Sequence, residues 1–418
     1  IDPSQNMDEV GNIIISDKGK IKSIGKNVKI TDTSQSAEKI DLKGNIAIPG
    51  IVDMKAFVGE PGFEYKENFR TLSHAALAGG VTSIVTMPNT KPIIDNVSMV
   101  DFIIRRGRDK AKVNLFPCAS ITRQTEGNQM TEFGLLKARG IIGFSDVNKT
   151  IQNTELMSRV MNYASDIDVL IMQHAEDYEL SKNSCINEGE VATRLGLQGV
   201  SDIAEKIIIE RDLSLLSKFP CRYHINQISS KNSLNVIKKN KSNGIKFSTG
   251  VSINNLSLNQ NDIGEFRTFL KLSPPLRSEE DRNSLIEGIK NNLIDVIVSD
   301  HIPEDEESKR LPFAQAATGS IGIETLLSLA LELYHNESLP LEKIIKCLTI
   351  NPAKILKIDK GTLNKGSDAD LCIFDLDKPW VVKAEKLKSK SKNTAIEDRK
   401  LQGKVKMTFL NGELVYSS

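Results

Sequence analysis

Side chains able to do chemistry are sparse along these 418 residues. Five histidines are present. Two sit beside carboxylates, in His174-Ala175-Glu176-Asp177 and in Asp300-His301. Imidazole and carboxylate are the usual ligands of a divalent cation and the usual carriers of a proton. His74 and His335 fall in predicted helices and read as non-functional, and His224 lies in an apolar run where packing is its ordinary role. Lys55 and Phe57 follow Asp53, and residues two apart on a strand point to one side. As ligands they fail: the ammonium would have to lose its proton, and a phenyl ring has no lone pair. The run Glu304-Asp305-Glu306-Glu307 reads as a solvated loop. Cys118, Cys185, Cys221, Cys347 and Cys372 are scattered with no C-x-x-C pair, which reads as free thiols in a reducing cytoplasm.

The elements that must position these groups are legible in outline. Hydrophobic residues make up 39% and charged residues 26%, an ordinary globular balance. A net charge of +1 gives no global basic field for nucleic acid or an anionic membrane. No apolar run approaches the roughly 20 residues that span a bilayer. The start, Ile1-Asp2-Pro3-Ser4, reads as the middle of a strand-turn, so a short preceding piece is expected.

Residues 12–15 and 21–24 are β-rich around the hairpin signal Asp17-Lys18-Gly19-Lys20, and Leu42–Ile48 is a further short strand. Between residues 49 and 358 short apolar runs alternate with amphipathic helical segments. The runs are Ser83–Met87, Val113–Cys118, Gly140–Phe144, Val169–Met172, Arg222–Ile225 and Val296–Ser299. Such alternation implies βαβ units and a parallel sheet, and without G-x-G-x-x-G after the first strand a closed barrel is favoured. Gly79-Gly80 permits close backbone approach at a helix–strand turn, and Pro88 and Pro92 shape a loop. Beyond residue 358 β character returns, at Asp370–Asp375 and in a hairpin turning at Asn411-Gly412. The expected architecture is α/β: a (β/α)8 TIM barrel over residues 49–358, with a small β-sandwich built from both termini, residues 1–48 and 359–418. The charged, Ser-rich stretch Lys383–Arg399 is expected to be a poorly ordered surface loop.

The stretch Pro49-Gly50-Ile51-Val52-Asp53-Met54-Lys55-Ala56-Phe57-Val58-Gly59-Glu60-Pro61-Gly62 resembles the first-strand signature of the amidohydrolase superfamily. More narrowly it is similar to the class I dihydroorotases. Tyr65-Lys66-Glu67, Ala78-Gly79-Gly80-Val81-Thr82, Met87-Pro88-Asn89-Thr90-Lys91-Pro92 and Gly143-Phe144-Ser145-Asp146 extend the resemblance. So do His174-Ala175-Glu176-Asp177, Pro274-Pro275-Leu276-Arg277, Ser299-Asp300-His301 and the tail Gly361-Thr362-Leu363 to Leu371. It covers nearly the whole chain in order. It implies a metal-dependent hydrolase barrel whose reaction, in pyrimidine biosynthesis, closes carbamoyl aspartate to dihydroorotate. In the family zinc polarises the amide carbonyl and activates water, an Asp moves the proton, and an Arg forks onto the substrate carboxylate.

Residue by residue, this chain departs from that pattern. The family His-x-His pair is Lys55 and Phe57, and the family Arg is Gly59. The bridging carboxylate of Phe-Ser-Asp-Asp-Gly is placed at Val147, with Asp146 as the alternative, and the later His matches Gln227. His174 and the base Asp300 are retained as family metal ligands. Of the substrate contacts Asn89 is retained, while an Asn has become Ser273 and a His has become Glu304. A Pro-Phe-Gly loop near the substrate looks replaced by Ala317-Thr318-Gly319. Lys55 either pairs with Asp300, supplying the positive charge a metal would bring, or extends to solvent. In the first case Phe57 and Val147 would help fill the vacated cavity.

The resemblance therefore implies a dihydroorotase-family protein that has lost zinc and catalysis. It implies a cytoplasmic structural or regulatory partner, of aspartate transcarbamoylase or of another copy of itself, with no role at nucleic acid or membrane. The alternative is a working dihydroorotase, or a hydrolase of another cyclic amide, with a reduced metal site through His174 and Asp300.

Overall fold

The computed structural model describes residues 1–29 and 37–418; residues 30–36, within the N-terminal segment expected to be β-rich, lie outside the described residues. The chain opens with strands β1 (Asn12–Ile15), β2 (Ile21–Gly25) and β3 (Ile46–Pro49). The barrel contributes β4 (Ile51–Ala56), β5 (Val81–Thr86), β6 (Asn114–Ala119), β7 (Gly143–Phe144) and β8 (Leu170–Gln173). A short parallel pair, β9 (Ile186–Asn187) and β10 (Gly199–Val200), lies outside it, before β11 (Arg222–Ile225), β12 (Ser248–Ser252) and β13 (Val296–Val298). The C-terminal region supplies β14 (Leu371–Val381), β15 (Lys400–Leu410) and β16 (Glu413–Ser417).

Eight parallel strands run in the order β13-β12-β11-β8-β7-β6-β5-β4. The seam between β13 and β4 is closed by a bridge from Ala56 to His301 and by Phe57 N–H donating to His301 O at 2.9 Å. Asp53 strengthens it, its carboxylate accepting Ser299 N at 3.2 Å as well as the Ser299 hydroxyl. The barrel is filled by Val52, Met54, Val85, Met87, Cys118, Leu170, Met172, Val296 and Val298, and a larger apolar layer joins its outside to the helices. Burying both faces explains why most of these strands read as continuous apolar runs.

The helix Phe69–Ala78 shows how local sequence sets the frame. Asn68 caps it by accepting Arg70 N and Thr71 N, while Thr71 reciprocates at the Asn68 N–H. It ends at Gly79-Gly80, where Gly80 has φ +76° and a Cβ would lie 2.3 Å from Cys372 Sγ. The expected close approach is therefore between barrel and terminal sheet. That sheet runs β16-β15-β14-β3, with Ile48 opposite Cys372. The β1–β2 hairpin packs Ile13, Ile15, Ile21 and Ile24 against Leu371, Ile373 and Phe409 of the sheet. Both termini thus build one small sandwich, closed by a hairpin with Asn411 at φ 49° and Gly412 at φ 82°.

Two expectations are corrected. Lys383–Arg399 is not a loose surface loop, because Leu387, Ser389, Ser391, Asn393, Thr394, Ala395 and Ile396 are buried. Asn393 donates to Ile302 O and Gly319 O, both at 3.1 Å, and accepts Glu304 N at 3.0 Å. The segment is a strap across the loops that follow the last barrel strand. The acidic run 304–307 is only partly solvated: Glu304 is held by Lys66 Nζ at 2.5 Å, while Glu306 and Glu307 are exposed.

Candidate functional site

The site begins with one extra residue in β4. Asp53 pairs with Ile84 and Ala56 with Thr86, so three steps on β4 match two on β5. A bulge of this kind re-aims the side chains after it. Met54 fills the barrel interior, and the bulge turns Lys55 inward as well. Its Nζ lies 3.1 Å from Asp300 Oδ1, each side chain being 3% exposed. The ammonium also donates to Asn148 Oδ1 at 2.8 Å and to Gln227 Oε1. Three acceptors from three different strand ends therefore converge on one cation. Asp300 is held in a left-handed conformation, φ 50°, which aspartate tolerates better than most residues.

A second cluster adjoins it. The Glu67 carboxylate, fully buried, accepts the Ser389 and Thr71 hydroxyls and Lys390 N at 3.2 Å, and lies 3.6 Å from His301 Nε2. Burial raises the Glu67 carboxyl, but His301 and these hydrogen bonds outweigh it and hold it below its ordinary value. His301 Nδ1 accepts Gly322 N at 3.3 Å, which assigns the ring proton to the Nε2 that faces Glu67. The strap is thus tied to the residue beside Asp300.

A family model described as Dihydro-orotase-like matches residues 44–233, and one described as Amidohydrolase family matches residues 314–416. A dihydroorotase of Ehrlichia chaffeensis is 41% identical over 421 residues, covering 100% of this chain and 93% of that protein. One of Syntrophus aciditrophicus is 39% identical over 416 residues, covering 100% and 97%. The chain belongs to the dihydroorotase family. The dihydroorotase fold is shared more widely: L-hydantoinase (dihydropyrimidinase) of Arthrobacter aurescens superposes with a TM-score of 0.86 at 24% identity, covering 97% of this chain and 92% of that one. D-hydantoinase (dihydropyrimidinase) from Thermus sp. gives 0.85 at 19%, covering 100% and 93%.

The positions expected from the dihydroorotase pattern fall as follows. Lys55, Gln227 and Asp300 come together. Gln227 Nε2 is left without a partner. Phe57 is buried and turns toward Phe63, ring centroids 6.1 Å apart. Val147 is buried in the barrel-interior cluster with φ 62°, a left-handed conformation that a β-branched residue adopts at a cost. Asp146, the alternative bridging carboxylate, points away from Lys55. It accepts Ile121 N at 2.8 Å, Thr122 N at 3.0 Å and the Thr122 hydroxyl, and burial raises it to about 6.

His174 is buried, with neither ring nitrogen hydrogen-bonded and its Nε2 3.5 Å from Glu176 Oε2. Burial raises Glu176, and His174 together with Ser181 and Arg277 outweighs this and lowers it. His224 takes the expected packing role, its Nδ1 2.8 Å from Ser248 Oγ, and burial pushes its pKa down to about 3. Asn89 is half-buried with a partnerless Oδ1, Ser273 is half-buried, and Glu304 faces Lys66.

Gly59 has φ +75°, and a Cβ there would lie 2.3 Å from Glu67 O and 2.8 Å from Phe63 O. No side chain fits on that backbone. Ala317 is tied down, its carbonyl accepting Lys309 Nζ at 2.7 Å.

Sequence reasoning missed Asn148, Glu67 and Asn393. Asn148 follows Val147 within the motif already singled out, so a polar residue beside the lost carboxylate was the available signal. Glu67 stood inside Tyr65-Lys66-Glu67. Nothing local marked Asn393, whose partners are 74 to 91 residues away.

Proposed function

We propose that this dihydroorotase-family chain has lost zinc binding and ring-closing catalysis and acts as a structural or regulatory partner, of aspartate transcarbamoylase in the first instance. The observation that carries the proposal is the Lys55 ammonium, 3.1 Å from Asp300 and hydrogen-bonded to Asn148 and Gln227. An ammonium there sets a positive charge 3.1 Å from the carboxylate that the family gives to a metal, although Asp300 Oδ1 gains no hydrogen bond from it, and it repels a divalent cation.

The donor set does not fit zinc. Only His174 and Asp300 keep ligand chemistry among the six positions Lys55, Phe57, Val147, His174, Gln227 and Asp300. Zinc wants at least three good donors with supporting hydrogen bonds. Among the described residues no group of three or more His, Cys, Asp or Glu side chains is arranged for a metal ion. The backbone at Gly59 also leaves no room for the carboxylate-binding Arg. No catalytic step is derived through the metal. A barrel kept whole around such a site is consistent with selection on its surfaces, which is the support for a partner.

One observation favours a second reading, in which a single metal and residual cyclic-amide hydrolysis persist: His174 has both ring nitrogens uncommitted. One set of measurements separates the readings. Purified protein is assayed for zinc by mass spectrometry and for turnover with dihydroorotate and carbamoyl aspartate, then co-expressed with aspartate transcarbamoylase and sized. The proposal expects substoichiometric zinc, no turnover and co-elution. Stoichiometric zinc with turnover overturns the loss of catalysis; separate elution at micromolar concentration overturns the partner.

A further inference from the structure

The helix Phe69–Ala78 carries no acidic residue, and its first turn holds Arg70, where the positive end of the helix dipole disfavours a cation. His74, without a role in the sequence pattern, stands one turn on along the same face, and both side chains are exposed. Two other segments bring cations to this face. Lys112 follows the helix Val97–Lys110 and is anchored by its N–H donating to Ser73 Oγ at 3.1 Å. Lys388 belongs to the strap, between the buried Leu387 and Ser389, and its N–H donates to Glu324 Oε2 at 2.6 Å.

The charges that bear on His74 are Lys112, Arg70 and Lys388, and no carboxylate is among them. Partial burial, and then these three cations, hold its pKa below the ordinary value. Among the described residues, none of the three cationic side chains has an ion-pair partner. The carboxylate beside the group is Glu324, on which Lys388, Lys392 and Lys404 act. Burial raises it to about 7, so near neutrality it is only partly ionised. Lys392 is already committed to Leu387 O at 2.6 Å and Ser389 O at 2.8 Å.

Like charges held together without a counter-ion repel, and a bound anion relieves that repulsion. A guanidinium offers a planar fork, an ammonium a point charge and an imidazole a further N–H donor. A carboxylate has two oxygens to give them. A phosphoryl group has three and carries up to two charges, enough to engage all three segments at once.

We infer that Arg70, His74, Lys112 and Lys388 form a binding site for the phosphoryl group of a small phosphorylated molecule. The site lies among the helices and strap outside the barrel, so its anion affinity does not depend on a metal at the mouth.

The test is calorimetric titration of the whole chain with inorganic pyrophosphate, in buffer stripped of divalent cations and at about 100 mM salt, which screens diffuse attraction. One saturable site is expected. Arg70→Gln and Lys388→Gln, shown folded by circular dichroism, are each expected to weaken it about tenfold or more, one charge-assisted contact being lost. Lys239→Gln, which removes an exposed cation from the helix Lys231–Ser242, is expected to leave it unchanged. In proton NMR the His74 resonance, assigned by its loss in His74→Gln, should titrate at higher pH with pyrophosphate bound, because the anion offsets the neighbouring cations. Adenosine triphosphate separates the sources: affinity equal to that of pyrophosphate points to inorganic phosphates, tighter binding to phosphorylated nucleosides, and either keeps the site. No saturable binding at millimolar pyrophosphate overturns the inference. So does a loss in Lys239→Gln equal to that in Arg70→Gln, or a His74 titration indifferent to pyrophosphate.

Discussion

Replacing Lys55 by methionine tests the barrel mouth most directly. The substitution keeps the unbranched stem and removes the charge. It leaves Asp300, 3% exposed, without a cation, and Asn148 Oδ1 and Gln227 Oε1 without a donor. At 3.1 Å the Coulomb attraction is about 5 kcal/mol at an effective dielectric near 20, before the desolvation of both ions is subtracted. Breaking one side of such a buried pair costs about 3–5 kcal/mol, much of it the stranded charge.

At about 2.1 cal/mol/K per residue, 418 residues give about 0.9 kcal/mol per degree, so Tm should fall by about 3–6 °C. The companion is Asp300→Asn in the Lys55→Met background, which removes the stranded charge. It should recover much of the loss, giving a coupling of at least about 2 kcal/mol in the double-mutant cycle. Calorimetry and urea melts of the four proteins supply the numbers. A Lys55→Met cost under about 1 kcal/mol, or a coupling within about 0.5 kcal/mol of zero, would refute the claim that the ammonium neutralises this carboxylate.

Other consequences are simpler. Adding chelator, or zinc at tenfold excess, should leave Tm within about 1 °C of the untreated protein, since binding to the native state would raise it; a reproducible zinc-dependent rise contradicts the donor argument. Asp53 is raised to about 6, chiefly by burial, so the folded state holds its proton more tightly than the unfolded chain. Its stabilising share is full below the unfolded value of 3.8 and is lost as pH rises through about 6. Asp53→Asn should flatten stability between pH 4 and 7 relative to wild type, and unchanged slopes would be the contrary result. His224 has the opposite sign, its pKa being depressed from 6.5 to about 3: stability present above 6.5 is lost on acidification, by up to about 1.4 kcal/mol per pH unit. His224→Gln should abolish that loss in acid titrations followed by circular dichroism. Asn393→Ala strands Ile302 O, Gly319 O and Glu304 N in the loops beneath the strap and should cost about 2–4 kcal/mol. Limited proteolysis should then cut within residues 383–399, where the wild type resists.

The barrel and the terminal sandwich were legible because their information is local. Doubly buried strands such as Leu170–Gln173 announce themselves as apolar runs, and Asn411-Gly412 fixes a hairpin by its backbone preference. Strand Ser248–Ser252 was not legible, being Ser-Thr-Gly-Val-Ser. Thr249 bonds to Leu293 O and Asp295, Ser248 to His224 and Ser252 to Asn254 N, and Gly250 is needed where a Cβ would lie 2.3 Å from Asn226 O. The strap failed for the same reason: serines and an asparagine read as solvated until distant carbonyls are brought to them. At the mouth, the Lys55–Asp300 pairing could be anticipated because a buried carboxylate needs a counter-charge. Asn148 was signalled only by its place beside Val147, and its direction depends on how the loop after strand β7 is turned by Val147 at φ 62°.

The turn at Gly59 restricts what position 59 can carry. At φ +75°, any side chain at position 59 would place its first atom 2.3 Å from Glu67 O. An arginine there would require the loop from Gly59 to Glu67 to be redrawn first. That loop is now fastened through Glu67 to the strap and to His301.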